Sequence, residues 1–189
     1  SQVFVCANGV LDLNTLEFRD GAPKDMMMLH SGIEYIPIET VYDDTYHMEK
    51  FEQLFANYIG SKFSLMVNSG SSANLLMIAS LFYRKENDIS NNDEVIVPAV
   101  AWSTSFFPLH QYGLKLRFVD IDKDTLNYDL NSLSKAVTEK TKIILAVNLL
   151  GNPNNFKRIK EIIKNKNIIL LEDNCESLGA EFENKKAGP

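Results

Sequence analysis

The chain is short of the residues that cross-link or metallate small proteins. Its two cysteines, Cys6 and Cys175, lie far apart and form no metal-ligand spacing. Histidine is nearly as scarce: His30, His47 and His110 are scattered, so the sequence offers no metal site. No apolar run is long enough to span a membrane, and the first residues lack the apolar core of a secretory signal. A long basic run is missing too. The net charge is −6, which argues against a broad positive surface for nucleic acid. The only basic cluster, Lys157, Arg158, Lys160, Lys164 and Lys166, alternates with Ile159, Ile162 and Ile163. That is the pattern of an amphipathic helix with one solvated face. A reduced, cytoplasmic protein with no metal, membrane or nucleic-acid partner is therefore expected.

What is present suits an ordinary soluble domain. The 189 residues are 45% hydrophobic and 23% charged, enough for one real core. Residues 1–40 read apart from the rest. Val3-Phe4-Val5, the turn dipeptide Asn8-Gly9, Val10-Leu11-Asp12-Leu13 and Leu16-Glu17-Phe18 predict a small β-meander, followed by a loop carrying Met26, Met27 and Met28. From about Asp43, residues 41–189 alternate strand and helix patterns. Helices are expected at Met48–Ile59, Ala73–Arg84, Ala101–Tyr112, Asn131–Val137 and Phe156–Lys164. Strands are expected at Phe63–Val67, Glu94–Val97, Lys115–Val119, Lys142–Val147 and Ile168–Leu171. Repeated strand–helix units predict an α/β fold of three layers: a mostly parallel sheet with helices on both faces.

Four stations along this alternation bear chemistry. Gly70-Ser71-Ser72 lies between a strand and a helix. Helix N-termini suit phosphate, but Ser is equally a cap and Gly equally a turn residue. Trp102, the sole tryptophan, follows a strand end; it either stacks on a flat ring or packs into a core or interface. Asp173 and Glu176 follow the last strand. Asp173 either pairs with a protonated ring nitrogen or caps the turn after it, because a buried carboxylate needs some partner. Glu176 would then reach a ring hydroxyl or a neighbour. Asn148 ends the adjacent strand beside the turn Gly151-Asn152-Pro153 and is a candidate substrate contact. All four stations fall at strand carboxyl ends, where ligands of open α/β sheets sit.

The stretches Val67-Asn68-Ser69-Gly70-Ser71-Ser72-Ala73-Asn74, Asp93-Glu94-Val95-Ile96-Val97-Pro98-Ala99-Val100-Ala101-Trp102, Phe118-Val119-Asp120-Ile121-Asp122, Asn148-Leu149-Leu150-Gly151-Asn152-Pro153 and Leu171-Glu172-Asp173-Asn174-Cys175-Glu176-Ser177 resemble the DegT-type sugar aminotransferase family. That family has the fold-type I architecture dependent on pyridoxal phosphate. The resemblance runs from about Met48 to Pro189 and implies that residues 41–189 are the N-terminal half of its cofactor-binding large domain. Within the family the nearest likeness is to the GDP-4-keto-6-deoxymannose 3-dehydratase branch. Ordinary aminotransferases more often carry Gln or His at the place of Glu176, and a His-containing stretch at Asn148–Gly151.

The resemblance implies pyridoxal or pyridoxamine phosphate as cofactor. Ser71 and Ser72, with Gly70, would seat its phosphate, Trp102 would stack on its ring, and Asp173 would pair with the ring nitrogen. Glu176 would lie beside the ring oxygen. It further implies a nucleotide-linked 4-keto sugar as substrate, in deoxysugar and polysaccharide biosynthesis, and a homodimer. The family's catalytic base, a Lys in aminotransferases and a His in dehydratases, falls after the stretch that ends at Ala187-Gly188-Pro189. No catalytic residue is therefore assigned, and Lys185 and Lys186 precede that position. The expectation is that the chain by itself neither holds the cofactor covalently nor turns over a sugar. The alternatives are a sugar aminotransferase and a non-catalytic fusion or remnant. Residues 1–25, through Asn8–Leu13 and Glu17–Asp25, resemble a segment of viral and phage primase-helicases. No helicase motif follows it, so the resemblance reads as a junction near residue 40.

Overall fold

A computed structural model describes residues 3–6, 9–12, 18–19, 44–84 and 89–188. The chain divides into two compact units, Ser1–Glu49 and Lys50–Pro189. In the first, β1 (Val3–Cys6), β2 (Gly9–Asp12) and β3 (Phe18–Arg19) form an antiparallel sheet of their own in the order β1-β2-β3. Cys6 is paired with Gly9, so Gly9 belongs to a strand rather than to a turn. Met26–Met28 lie outside the described residues.

Helix α1 (Asp44–Ile59) carries the chain into the second unit and ends at Gly60, whose φ of 82° suits a residue without Cβ. There follow α2 (Gly70–Tyr83), β4 (Glu94–Pro98), α3 (Ser103–Gln111), β5 (Lys115–Val119), α4 (Leu130–Ala136), β6 (Thr141–Val147), α5 (Phe156–Ile162), β7 (Ile169–Asp173) and a hairpin of β8 (Glu181–Phe182) and β9 (Lys185–Lys186). Four of these strands make one sheet, in the order β5-β4-β6-β7, with every pairing parallel.

The sheet is buried on both faces, as continuous Val/Ile/Leu runs require. Val95, Ile96, Val97, Ile143, Ile144 and Ala146 have no exposed surface. Alternation assigns them to two layers. Ile96, Ile144 and Ala146 pack with Leu133 of α4 and Phe156 and Ile159 of α5. Val95, Val97, Ile143 and Leu145 pack with Ile78 and Leu81 of α2 and Leu109 of α3. The predicted three-layer α/β arrangement is thus present. On the α4 side, the buried Tyr128 donates its hydroxyl to the Leu145 carbonyl at 2.7 Å. Burial holds its phenol well above the ordinary tyrosine range.

Two predicted elements differ and one element was not predicted. Phe63–Val67 is not a strand; among the described residues no strand lies beside it. Its Ser64 hydroxyl donates to the Glu52 carbonyl at 2.5 Å, and the Met66 N–H donates to the Glu52 carboxylate at 2.7 Å. Helix α2 begins three residues earlier than expected because Ser69 caps it, accepting the Ser72 N–H at 3.2 Å. Gly70-Ser71-Ser72 is therefore the first helical turn itself. The hairpin β8–β9 went unpredicted because Glu183 and Asn184, both with positive φ, form its turn without glycine.

Candidate active site

Parallel strands bring their carboxyl ends to one edge. Trp102 follows β4, Asn148 follows β6, and Asp173 closes β7. The register matches Val147 to Asp173, and the Asn148 N–H donates to the Asp173 carbonyl at 3.1 Å. A cavity of about 320 Å³ opens at this edge. Gly70, Ser71, Trp102, Asn148, Asp173 and Glu176 all line it. A larger cavity, about 620 Å³, lies between α5 and the β8–β9 hairpin and contains none of them. It holds Lys185 and Lys186; Lys186 is drawn to Glu181 at 3.3 Å and sits over the Tyr58 ring.

Asp173 is 7% exposed. Three neutral donors hold it: Ser105 Oγ at 2.8 Å and Asn74 Nδ2 at 3.0 Å on Oδ2, and the Cys175 N–H at 3.1 Å on Oδ1. Among the described residues no cation lies within ion-pair distance of it. A buried carboxylate oriented by dipoles alone leaves its charge available to a cationic ligand group.

Asn74 and Ser105 were not singled out from the sequence, and a physical signal for Asn74 was there. Pro108 lies inside α3 and lacks an N–H, so the carbonyl four residues back, on Thr104, loses its helical donor. Asn74 donates to that carbonyl at 3.3 Å and to Asp173 with the same amide nitrogen. One proline thus anchors the amide that orients the acid.

The first turn of α2 keeps the Gly70 and Ser71 N–H groups without a partner among the described residues, while the Ser72 and Ala73 N–H groups go to Ser69. The Ser72 hydroxyl accepts from Ser69 at 3.1 Å, and Ser72 does not line the cavity. Gly70 is not needed for backbone freedom: it has no positive φ, and a Cβ would only touch Cys175 Sγ at 3.6 Å. Trp102 is 65% exposed, so it is no core residue of this chain. Its indole N–H donates to Glu176 at 3.0 Å. Asn148 is fully buried, and its amide is saturated. It donates to Glu172 and Asn174, each at 2.7 Å, and accepts from Asn154 N–H and Nδ2. This amide, the candidate substrate contact, ties the end of β6 to the end of β7.

The profile of the DegT/DnrJ/EryC1/StrS aminotransferase family matches residues 39–189. The chain belongs to this family. The match starts ahead of Met48, inside the stretch read above as foreign. A second profile, D5 N terminal like, matches residues 1–59. GDP-4-keto-6-deoxy-D-mannose 3-dehydratase of Yersinia pseudotuberculosis is 62% identical over 141 residues, 75% of this chain and 36% of that protein. Its namesake in Escherichia coli O55:H7 is 56% identical over 161 residues, 82% of this chain and 42% of that protein. The E. coli dehydratase solved with bound hydrated pyridoxal phosphate superposes with a TM-score of 0.77 at 56% identity, covering 80% of this chain and 39% of that one. This DegT-family chain spans 36% to 42% of the length of these curated relatives. Among the described residues no helix is long and apolar enough to cross a membrane.

Proposed function

We propose that this chain contributes the cofactor cradle of a pyridoxal-phosphate- or pyridoxamine-phosphate-dependent 3-dehydratase acting on a GDP-linked 4-keto-6-deoxy sugar. The single observation that carries the reading is Asp173: a buried carboxylate, aimed by three neutral donors at a cavity and without a counter-cation among the described residues. The residues present fit the cofactor. Asp173 would hold the ring nitrogen protonated. The open N–H groups of Gly70 and Ser71, with the Ser71 hydroxyl, would take the phosphate at the positive end of a 14-residue helix. Ser72 would serve the cap and so act on the phosphate only through the helix. Trp102 would present its ring face to the cofactor plane. When bound, the cofactor supplies an electron sink for a carbanion beside its ring.

The dehydratase reading is favoured over transamination by the identity of 62% to a dehydratase. No residue of this chain is proposed to move the proton; Lys185 and Lys186 lie off the cavity. A homodimer is proposed from the apolar side chains left exposed on α1, α2 and the run after α1: Phe51, Leu54, Tyr58, Phe63, Leu65 and Leu75. Such a face is what a second copy would cover.

The cofactor reading is tested by equilibrium dialysis of the purified chain against pyridoxal 5′-phosphate. Reversible binding is expected, and Asp173→Asn should weaken it tenfold or more, on the order of the value of one charged hydrogen bond. Borohydride reduction should then label no single lysine stoichiometrically. A stoichiometric label at Lys185 or Lys186, lost in Asp173→Asn, would overturn the assignment of these lysines as bystanders.

A further inference from the structure

Glu176 is exposed, yet neither carboxylate oxygen is free. Oε1 accepts the Trp102 indole N–H at 3.0 Å, and Oε2 accepts the Leu150 backbone N–H at 2.7 Å. One side chain thus joins three turns: that after β4, through Trp102; that after β6, through Leu150; and its own, after β7. The Leu150 turn is pressed against it. Leu150 has φ 53° and ψ 27°, a left-handed conformation unusual for a bulky residue. A Cβ on the neighbouring Gly151, itself at φ 84°, would come within 3.3 Å of the Glu176 carbonyl oxygen. Asn148 fastens the same two turns from below through Glu172 and Asn174.

Trp102 is otherwise little restrained. It is 65% exposed, it makes no ring pair among the described residues, and an indole has a single donor. That donor is committed to Glu176. The indole N–H first, and the Leu150 N–H second, lower the Glu176 pKa from its ordinary value, which favours the charged acceptor.

We propose that Glu176 is a positioning residue that clamps the indole plane of Trp102 beside the cavity, with the Leu150 N–H holding its second oxygen. This rests on the cofactor reading above and deepens it. A flat ligand ring would meet an indole whose torsions are already restricted, so less freedom is lost on binding. A glutamine at this position would break one arm, because its amide NH₂ would face either the indole N–H or the Leu150 N–H, a donor against a donor.

Trp102 is the only tryptophan, so its fluorescence reports the clamp without background. The experiment measures Trp102 anisotropy and acrylamide quenching in the full chain. It also measures the dissociation constant for pyridoxal 5′-phosphate by dialysis, in the wild type, Glu176→Ala, Trp102→Phe and the double variant. Glu176→Ala is expected to lower the anisotropy with unchanged far-UV circular dichroism and to weaken binding roughly threefold to tenfold. In the Trp102→Phe background the same change should cost nothing further. Unchanged anisotropy in Glu176→Ala, or an equal loss of affinity in both backgrounds, would overturn the proposal. If Glu176→Ala does not fold, Glu176→Leu, which keeps the bulk and removes both acceptors, decides: a native fold with lowered anisotropy supports the clamp, and unchanged anisotropy refutes it. If the wild type binds no pyridoxal phosphate, the cofactor reading fails while the anisotropy still decides the clamp.

Discussion

Phe63–Val67 and Val95–Pro98 are two short apolar runs, each leading towards a helix that begins at the cavity. They meet different fates. Val95, Ile96 and Val97 are completely buried between β5 and β6, whereas Phe63 is 77% and Leu65 66% exposed. Composition does not separate them. What separates them is that β4 has a neighbour on each side to complete its ladder, and Phe63–Val67 has none among the described residues. Its Ser64 hydroxyl and Met66 N–H lean on Glu52 instead. An apolar run makes a strand only where another strand satisfies its N–H and C=O groups.

The largest effect should come from cutting into the paired run. Leu145, 1% exposed at the centre of β6, should cost about 2–5 kcal/mol when changed to Ala, whereas Leu65→Ala should stay within about 0.5 kcal/mol in the dissociated protomer. Urea unfolding of the two variants at a protein concentration low enough to keep the chain monomeric checks this; equal costs there would mean that Phe63–Val67 is buried within the protomer itself.

Next comes the acid at the edge of the paired region. Asp173→Ala leaves the Asn74 and Ser105 donors facing a void, at a cost of about 1–3 kcal/mol. Glu52→Ala deprives only the exposed Met66 N–H of its acceptor, so it should speed hydrogen exchange at Met66 without shifting the unfolding midpoint. A smaller effect is expected at the start of α2, where Ser69→Ala removes the cap and should cost about 1 kcal/mol by thermal or urea unfolding.

The smallest effect is a pH dependence at the cavity. The folded pKa of Glu176 is lowered by the indole N–H and then by the Leu150 N–H. Its contribution is therefore present above the unfolded carboxylate value and lost as pH falls through the lowered folded value. Trp102 emission should change in that acid range, below the ordinary glutamate pKa, and the change should vanish in Glu176→Gln. A transition persisting in that variant would assign it to another carboxylate.

Local pattern sufficed for much of this protein. Short Val/Ile/Leu runs and period-3.6 hydrophobicity placed the strands and helices of the sheet to within a few residues, and the run Ile169–Asp173 marked where the acid emerges. Parallel strands end together, so Trp102, Asp173 and Glu176 were legible at one edge, whereas Gly70 and Ser71 reach the cavity at the start of α2 with no described strand before them. The sequence could not show which side chains would be consumed internally. Asn148 accepts from Asn154 and donates to Glu172 and Asn174, and Asn74 joins an acid 99 positions away to a carbonyl released by Pro108. Glu176 grips an indole 74 positions away. Nor could it decide whether Phe63–Val67 is a strand. The alternation that predicts elements is a property of neighbours along the chain. A hydrogen-bond partner is a property of neighbours in space, and only the folded arrangement brings those together.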